Sequence, residues 1–272
     1  MPTARVNRIK LYYEETGSGP PLIWVHGFSC GVRSWDPQVR ALSASRRVIT
    51  YDVRGFGISE APEQAAAYSQ ALSVADLAGL LQHLRIERTA VGGLSMGGNI
   101  ALTFALANAE RVSALIVADT GAGSDDTADW VAGAQRYADA AERGGVEAFA
   151  DMACANPLFA RYIEQGPEHE RFIRSCLMTH RARGIMHTAR EVLAKRPTIY
   201  SLEQKLREMR IPTLLIVGEH DAPCVKVHEF MARTISGARS VLLPGVGHLS
   251  NLEAPEVFNT HVQRFLDEVA RA

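Results

Sequence analysis

The sequence predicts an α/β fold, with a mostly parallel sheet, helices on both faces and a helical insertion. Short continuous apolar runs, typical of strands that are buried on both faces, alternate with segments that are apolar at helical spacing. The alternation stops over residues 124–206, where the pattern is helical and no convincing strand occurs. A chain of 272 residues, 47% hydrophobic, is long enough to bury one substantial core that carries an inserted subdomain.

The elements follow one another in a regular order. Val6–Glu14 is expected to form a strand or hairpin, closed by a Gly- and Pro-rich turn. Ser73–Asp76 resembles a capping box ahead of an apolar helical face, so we expect a helix to begin there. A closing amphipathic helix is predicted at Pro255–Val269. Buried strands are predicted at Leu22–Val25, Arg47–Tyr51, Thr89–Gly92, Val112–Asp119, Thr213–Val217 and Ser240–Leu243.

The break in the alternation divides the chain into two parts. Residues 1–123 and 207–272 form the predicted core, and residues 124–206 form a helical lid inserted between two strands. Both flanking strands end at the edge of the sheet where reactive groups are usually placed, so the insertion has to cover that edge. We expect a few of its apolar side chains, for instance Phe159 or Leu177, to line a pocket there.

Gly93-Leu94-Ser95-Met96-Gly97 is the most informative short segment. A buried strand precedes it and a helical apolar pattern follows it, which is the context of a nucleophile elbow. So tight a turn needs neighbours that are nearly free of side chains, and glycine meets that need on both sides. Ser95 is therefore the candidate nucleophile, held at the start of a helix whose dipole favours developing negative charge.

A serine nucleophile needs an imidazole to take its proton and a carboxylate to orient that imidazole. Asp221 directly follows the strand at Thr213–Val217, and His248 directly follows the last predicted strand. The chain order Ser, Asp, His is the one expected for this architecture. Asp119, at the end of the strand before the lid, is an alternative acid, and His220 is an alternative base.

The remaining histidines have simpler interpretations. His26 is expected to shape the turn after its strand, and the other six are interpreted as solvated: His83, His169, His180, His187, His228 and His261. Two backbone N–H groups are needed to hold the oxyanion of an attacked carbonyl. The candidates are Met96, which follows the nucleophile, and Phe28, in the loop after the strand at Leu22–Val25.

Composition excludes several classes of function. The net charge is −1 and no block of like charge occurs, so neither nucleic acid nor an anionic membrane surface is an expected partner. No apolar run is long enough for a membrane span, and Met1–Arg5 lacks the apolar segment of a signal peptide. The four cysteines are scattered without metal-ligand spacing, so we expect reduced thiols, a cytoplasmic location, no metal and no cofactor.

Five motifs, in the expected order, resemble the α/β-hydrolase superfamily over nearly the whole chain. They are His26–Phe28, Asp52–Ser59, Gly93–Gly98, Gly218–Asp221 and Gly247–His248. Within the superfamily, Gly93–Gly98 and His248–Asn259 are similar to the 3-oxoadipate enol-lactonases and to small carboxylesterases, and His26–Phe28 follows the general esterase pattern. The resemblance implies a structural role for Asp52–Ser59, whose Asp and Arg bond nearby backbone.

The expected activity is hydrolysis of a small carboxylic ester or lactone through an acyl-enzyme. Two alternatives remain open: a carbon–carbon bond hydrolase of ring-cleavage products, and a ligand receptor on a hydrolase scaffold with little turnover. Relatives that split carbon–carbon bonds usually carry Asn and Trp where this chain has Leu94 and Leu249. Relatives with an aspartate nucleophile are excluded by Ser95. The oligomeric state is left open, a homo-oligomer included.

Overall fold

The computed structural model describes residues 1–28 and 30–271, and eight strands in these ranges form one sheet. The spatial order is β1-β2-β4-β3-β5-β6-β7-β8. Strands β1 and β2 form an antiparallel hairpin, β2 also pairs antiparallel with β4, and every other neighbouring pair is parallel. The strands are β1 (Thr3–Val6), β2 (Ile9–Thr16), β3 (Pro21–Val25), β4 (Arg47–Tyr51), β5 (Thr89–Leu94), β6 (Val112–Ala118), β7 (Thr213–Gly218) and β8 (Arg239–Leu243).

Eleven α-helices occur in the same described ranges. They are α1 (Asp36–Leu42), α2 (Gln70–His83), α3 (Met96–Ala107), α4 (Thr127–Cys154), α5 (Pro157–Ile163), α6 (Pro167–Leu177), α7 (Ala182–His187), α8 (Glu203–Glu208), α9 (Ala222–Thr234), α10 (Ser250–Glu253) and α11 (Pro255–Arg271). A π-helical turn, Thr188–Leu193, continues α7.

The predicted fold class is confirmed, because the continuous apolar runs do form the central parallel strands. Every residue of β5 and of β7 is buried, as expected for strands that are covered on both faces. The first predicted strand is a hairpin whose turn is Asn7-Arg8. Both turn residues have positive φ, 44° and 68°, which matches the twist that two-residue hairpins require.

The start of α2 differs from the expected capping box. The helix begins earlier, because the Ser69 hydroxyl accepts a hydrogen bond from the Leu72 amide at 3.1 Å. Asp76 instead makes a buried ion pair with Arg54, whose Nη2 lies 2.7 Å from Asp76 Oδ1. The Asp76 carboxylate, which the local pattern predicted to cap the helix, therefore binds Arg54 from another part of the chain. The same pair shows that Arg54 bonds a side chain, not the backbone partner that the family resemblance implied.

The helices α4 to α7 and the π-helical turn lie in the segment between β6 and β7. Residues 124–206 contain no strand, as the sequence pattern indicated. Helix α4 bends at Gly145, whose φ is 71° and ψ −160°. The segment is held to the core at several points, among them a hydrogen bond from Arg196 Nη2 to the Ala122 carbonyl at 2.7 Å.

No helix within the described ranges combines the length and the apolar character that a membrane crossing needs.

Candidate active site

Four polar residues end neighbouring strands at one edge of the sheet. Ser95 follows β5, Asp119 follows β6, Asp221 follows β7 by three residues, and His248 lies in the loop after β8. Parallel strands bring their carboxyl ends to the same edge, so residues far apart in sequence meet there. The register supports this directly, since β5, β6, β7 and β8 are hydrogen-bonded in sequence order.

Ser95 occupies a strained turn. Its φ is 56° and its ψ −117°, a conformation that a residue with a side chain rarely adopts. The glycines around it allow the chain to turn so tightly. A Cβ on Gly93 would lie 2.3 Å from the Gly97 carbonyl oxygen, and a Cβ on Gly97 would lie 2.0 Å from the Val25 carbonyl oxygen. Both glycines are thus required by backbone packing, which puts Ser95 at the end of β5 as the N-cap of α3.

His248 is paired with Asp221. Its Nδ1 lies 2.8 Å from Asp221 Oδ2, and both side chains are buried. Burial by itself lowers the pKa of His248, but the charge of Asp221 and its hydrogen bond, with Asp119 and Glu253, raise the pKa above its ordinary value of 6.5. The carboxylate fixes which ring nitrogen carries the proton, and leaves Nε2 for another partner.

Asp119, the alternative acid, has other partners. Its Oδ1 accepts a hydrogen bond from the Gly218 amide at 2.9 Å, and its Oδ2 accepts one from the Ser250 hydroxyl. Burial and the charge of Asp221 raise the pKa of Asp119 well above its ordinary value. The contact to the imidazole is therefore made by Asp221, while Asp119 ties β6 to β7 and to α10.

The loop after β3 lies against Ser95. A Cβ on Gly27 would lie 3.6 Å from Ser95 Cβ. His26 is buried, accepts a hydrogen bond from the Val53 amide at 2.9 Å through Nε2, and bonds the Gly27 carbonyl through Nδ1. Burial lowers the pKa of His26 to about 4. A neutral imidazole bonded on both sides shapes the loop, in line with the structural role expected for it.

The two candidate amide donors come from two different parts of the chain. Met96 is the first residue of α3, and the first amides of a helix have no acceptor within the helix. Phe28 follows Gly27 in the loop against Ser95. The side chain of Phe28 packs edge-to-face with Phe149 of the insertion, which connects this loop to α4.

The other histidines differ in how exposed they are. His220 lines the site but is half exposed, 4.0 Å from Glu219. The solvated interpretation is wrong for His180 and His228, which are both buried. His180 accepts a hydrogen bond from the Gly57 amide at 3.0 Å, and His228 bonds the Ser240 hydroxyl at 2.7 Å. Only tertiary contacts could reveal these positions, since neither residue carries a local sequence signal.

A cavity of about 460 Å³ opens beside Ser95 and His248. Of the two insertion residues named from the sequence, Phe159 lines it, whereas Leu177 does not and is wholly buried inside the insertion. Several other lining residues could not be identified from the sequence, because helical periodicity shows that a face is buried but not what it faces. The lining from the insertion includes Trp130, Ala134, Tyr137, Leu158, Phe159, Arg161 and Leu193.

Three residues whose side chains could bind a metal lie close together at His248. One ligand atom each from Asp221, Cys224 and His248 lie within 4.8 Å of one another, a grouping that the sequence spacing did not reveal. These atoms already serve one another, since Asp221 bonds His248, and burial and Asp221 raise the pKa of the Cys224 thiol well above its ordinary value. The Asp221–His248 hydrogen bond and the buried Cys224 thiol beside Asp221 account for this grouping as part of the same side-chain network.

Comparison with known proteins agrees with this architecture. The chain is 28% identical over 260 residues to the putative 2-succinyl-6-hydroxy-2,4-cyclohexadiene-1-carboxylate synthase of Bacillus subtilis, which covers 94% of this chain and 93% of that protein. The enol-lactonase of Burkholderia xenovorans LB400 superposes with a TM-score of 0.86 at 30% identity, covering 98% of this chain and 100% of that one.

A thermophilic esterase from Thermogutta terrifontis superposes equally well, with a TM-score of 0.86, 31% identity and 98% of both chains covered. Residues 20–255 match the family described as alpha/beta hydrolase fold. The match spans most of the chain and includes β3 to β8 and the four strand-end residues. The chain therefore belongs to the α/β-hydrolase family.

Proposed function

We propose that this hydrolase cleaves a small carboxylic ester or lactone through an acyl-enzyme formed on Ser95. The observation that carries the proposal is the combination of a strained Ser95 with a buried His248–Asp221 pair on one cavity. A serine in a strained turn that lines the same cavity as an oriented imidazole is the arrangement that serine nucleophiles use. The enol-lactonase and esterase similarities support the same reaction class.

In the proposed mechanism, His248 Nε2 takes the Ser95 proton as Oγ attacks the carbonyl carbon. The amides of Phe28 and Met96 stabilise the oxyanion, and Asp221 stabilises the imidazolium. His248 then gives its proton to the leaving alcohol or, in a lactone, to the ring oxygen. Water attacks the acyl-enzyme by the same steps in reverse and releases the acid.

The cavity favours a compact, mainly apolar substrate. Its wall is mainly apolar, and besides Ser95 and His248 it carries the polar side chains of Asp129, Arg136, Asn156, Arg161 and His220. A pocket of this size holds a small ligand, and its apolar wall excludes water from the acyl group. The aromatic lining residues are Phe28, Trp130, Tyr137 and Phe159.

The proposal is tested with aryl esters of increasing acyl length alongside aliphatic lactones and enol-lactones, each assayed with wild-type protein and Ser95→Ala. We expect sustained multiple turnover on at least one ester or lactone. In Ser95→Ala, kcat should fall by about 10⁴- to 10⁶-fold with an unchanged circular-dichroism spectrum, because the hydroxyl contributes chemistry and little packing. Residual activity above about a tenth of wild type would contradict the assignment of Ser95.

The panel also separates the alternatives. A vinylogous diketone from ring cleavage is included, and product analysis shows whether a carbon–carbon bond is broken. Preferential cleavage of that substrate would replace the ester proposal with the carbon–carbon hydrolase. A single turnover followed by a stable complex would instead indicate a receptor.

A further inference from the structure

Glu253 holds the chain on both sides of His248. Its Oε2 accepts a hydrogen bond from the Gly247 amide at 2.6 Å, and its Oε1 accepts one from the Leu249 amide at 2.9 Å. One carboxylate thus bonds the two amides that flank the imidazole-bearing residue. Hydrogen bonds from backbone amides to a carboxylate are among the stronger ones in proteins, and two of them fix the orientation of the loop.

The sequence of the loop fits this carboxylate closely. A Cβ on Gly247 would lie 3.1 Å from Glu253 Oε1 and 3.0 Å from the Arg161 Cβ and Cγ atoms. A larger residue at this position would have to displace the carboxylate or the arginine stem by a few tenths of an ångström. Arg161 Nη2 also donates to the Gly245 carbonyl at 2.8 Å, so the insertion supports the same loop from its other side.

The helix that carries Glu253 is itself anchored in the core. Helix α10 is a single turn, and its first two residues, Ser250 and Asn251, are buried. The Ser250 hydroxyl donates to Asp119, and Asn251 Nδ2 donates to the Ser34 carbonyl at 2.7 Å. The Glu253 amide donates to the Leu249 carbonyl at 2.8 Å, which closes the turn. These hydrogen bonds hold the helical turn that carries the Glu253 carboxylate in place.

Charged groups surround His248 from every neighbouring element. Asp221 after β7 bonds the ring, Asp119 after β6 lies behind it, and Glu253 on α10 holds its backbone. The Cys224 thiol on α9 is kept neutral by burial and by Asp221. The charged side chains on the cavity wall are Asp129, Arg136 and Arg161, and His220 also lines it.

We propose that Glu253 is a positioning residue for the reaction, and that its carboxylate fixes the Gly247–Leu249 backbone so that the imidazole stays aligned between Asp221 and the cavity. Its negative charge further stabilises the imidazolium that forms during the reaction. The inference rests on the proposed function, since it assigns the role of Glu253 in that same site.

Glu253→Gln tests the proposal, with Glu256→Gln as the matched control. The amide keeps the size of the side chain but can accept from only one of the two N–H groups and presents its own N–H₂ to the other. We expect kcat to fall about 10- to 100-fold, because the imidazole loses its alignment. KM should change little, because Glu253 is not among the residues that line the cavity. Glu256 is exposed on the first turn of α11, so its loss should leave kcat and KM unchanged.

A second readout separates positioning from simple stability. Loss of the Glu253 charge should lower the pKa of the imidazolium by about half a unit, measured by NMR titration of His248. Glu253→Asp keeps the charge but shortens the reach, so it should lower kcat and leave that pKa near the wild-type value. If Glu253→Gln fails to fold, Glu253→Asp alone decides: kcat within twofold of wild type would overturn the proposal.

Failure of the inference is distinguishable from failure of the proposed function. If wild type hydrolyses esters while Glu253→Gln keeps its kcat and the His248 pKa, only the positioning role is wrong. If wild type hydrolyses nothing on the panel, the proposed function is wrong, and an unchanged His248 pKa in Glu253→Gln then overturns the inference independently.

Discussion

Two buried aspartates lie behind one imidazole, and their hydrogen bonds separate their roles. Asp221 bonds His248 Nδ1 at 2.8 Å, whereas Asp119 bonds the Gly218 amide and the Ser250 hydroxyl. Both lie at the ends of neighbouring parallel strands, so either position could place an acid behind the base. The choice between them is made by which carboxylate contacts the ring.

Asp221→Asn should lower kcat by about 10³- to 10⁴-fold, because an amide leaves the imidazole in the wrong tautomer. Asp119→Asn should cost much less, because the hydrogen bonds of that carboxylate go to Gly218 and Ser250 and an amide oxygen can still accept from the Gly218 amide. Steady-state kinetics on purified, folded variants measure both. If the two effects came out reversed, Asp119 would be the catalytic acid.

The pH dependence of kcat/KM should follow the imidazole. Burial lowers the pKa of His248, but Asp221, Asp119 and Glu253 outweigh it, so the free-enzyme pKa lies above 6.5. The protonated ring cannot act as base, so kcat/KM should be low at acid pH and rise through one ionisation above 6.5. Asp221→Asn should shift any residual profile towards acid pH. An acid limb well below pH 6 in wild type would contradict this.

At the scale of elements, α4 and α5 supply most of the cavity wall that comes from the insertion. Trp130, Ala134 and Tyr137 lie at four- and three-residue intervals on one face of α4, so a single helical stripe faces the cavity. Phe159 reaches the same cavity from α5. Leu177, on α6, is fully buried and does not line this cavity.

Phe159→Trp should change the preference among acyl chain lengths more than the rate on the smallest ester, because it removes volume from the cavity that Phe159 lines. Phe172→Trp is the matched control, since it makes the same exchange on α6, away from the cavity. The measurement is kcat/KM across the aryl-ester series. An identical profile for wild type and Phe159→Trp would place specificity in the core loops.

At the scale of the whole molecule, the insertion and the core meet so closely that two glycines touch. A Cβ on Gly184 of α7 would lie 1.9 Å from the carbonyl oxygen of Gly55, in the loop after β4. Gly55 has a φ of 87°, so its own conformation also requires glycine. The packing of His180 on the Phe56 ring, 5.0 Å between centroids, continues the same contact.

Gly184→Ala should therefore lower the free energy of unfolding by about 1–3 kcal/mol, as expected when a close-packed contact is overfilled. Gly133→Ala, inside α4, is the matched control, because its Cβ would meet only Arg136 Nη2 at 3.6 Å. That change should stabilise the protein by about 0.5–1 kcal/mol through helix propensity. Urea unfolding measures both, and equal destabilisation by the two changes would contradict a special role for the Gly55–Gly184 contact.

The sequence by itself determined the fold class and the residues on the strand ends. Continuous apolar runs are typical of strands covered on both faces, and the central strands formed where those runs lie. The run at Ser240–Leu243 was predicted to be a buried strand, but β8 lies at the edge of the sheet and Leu242 is 49% exposed, so that part of the prediction is wrong. The tight turn at Ser95 was identifiable because it requires glycines at neighbouring positions, and these glycines are visible in the sequence.

Only the tertiary structure decided the partners of side chains. It paired Asp76 with Arg54 rather than with the helix start, buried His180 and His228, gave Asp221 rather than Asp119 the contact to His248, and turned Phe159 but not Leu177 to the cavity. Each of these contacts joins residues distant in sequence. Hydrogen bonding and packing depend on where the whole chain brings such residues together, and no local periodicity records that position.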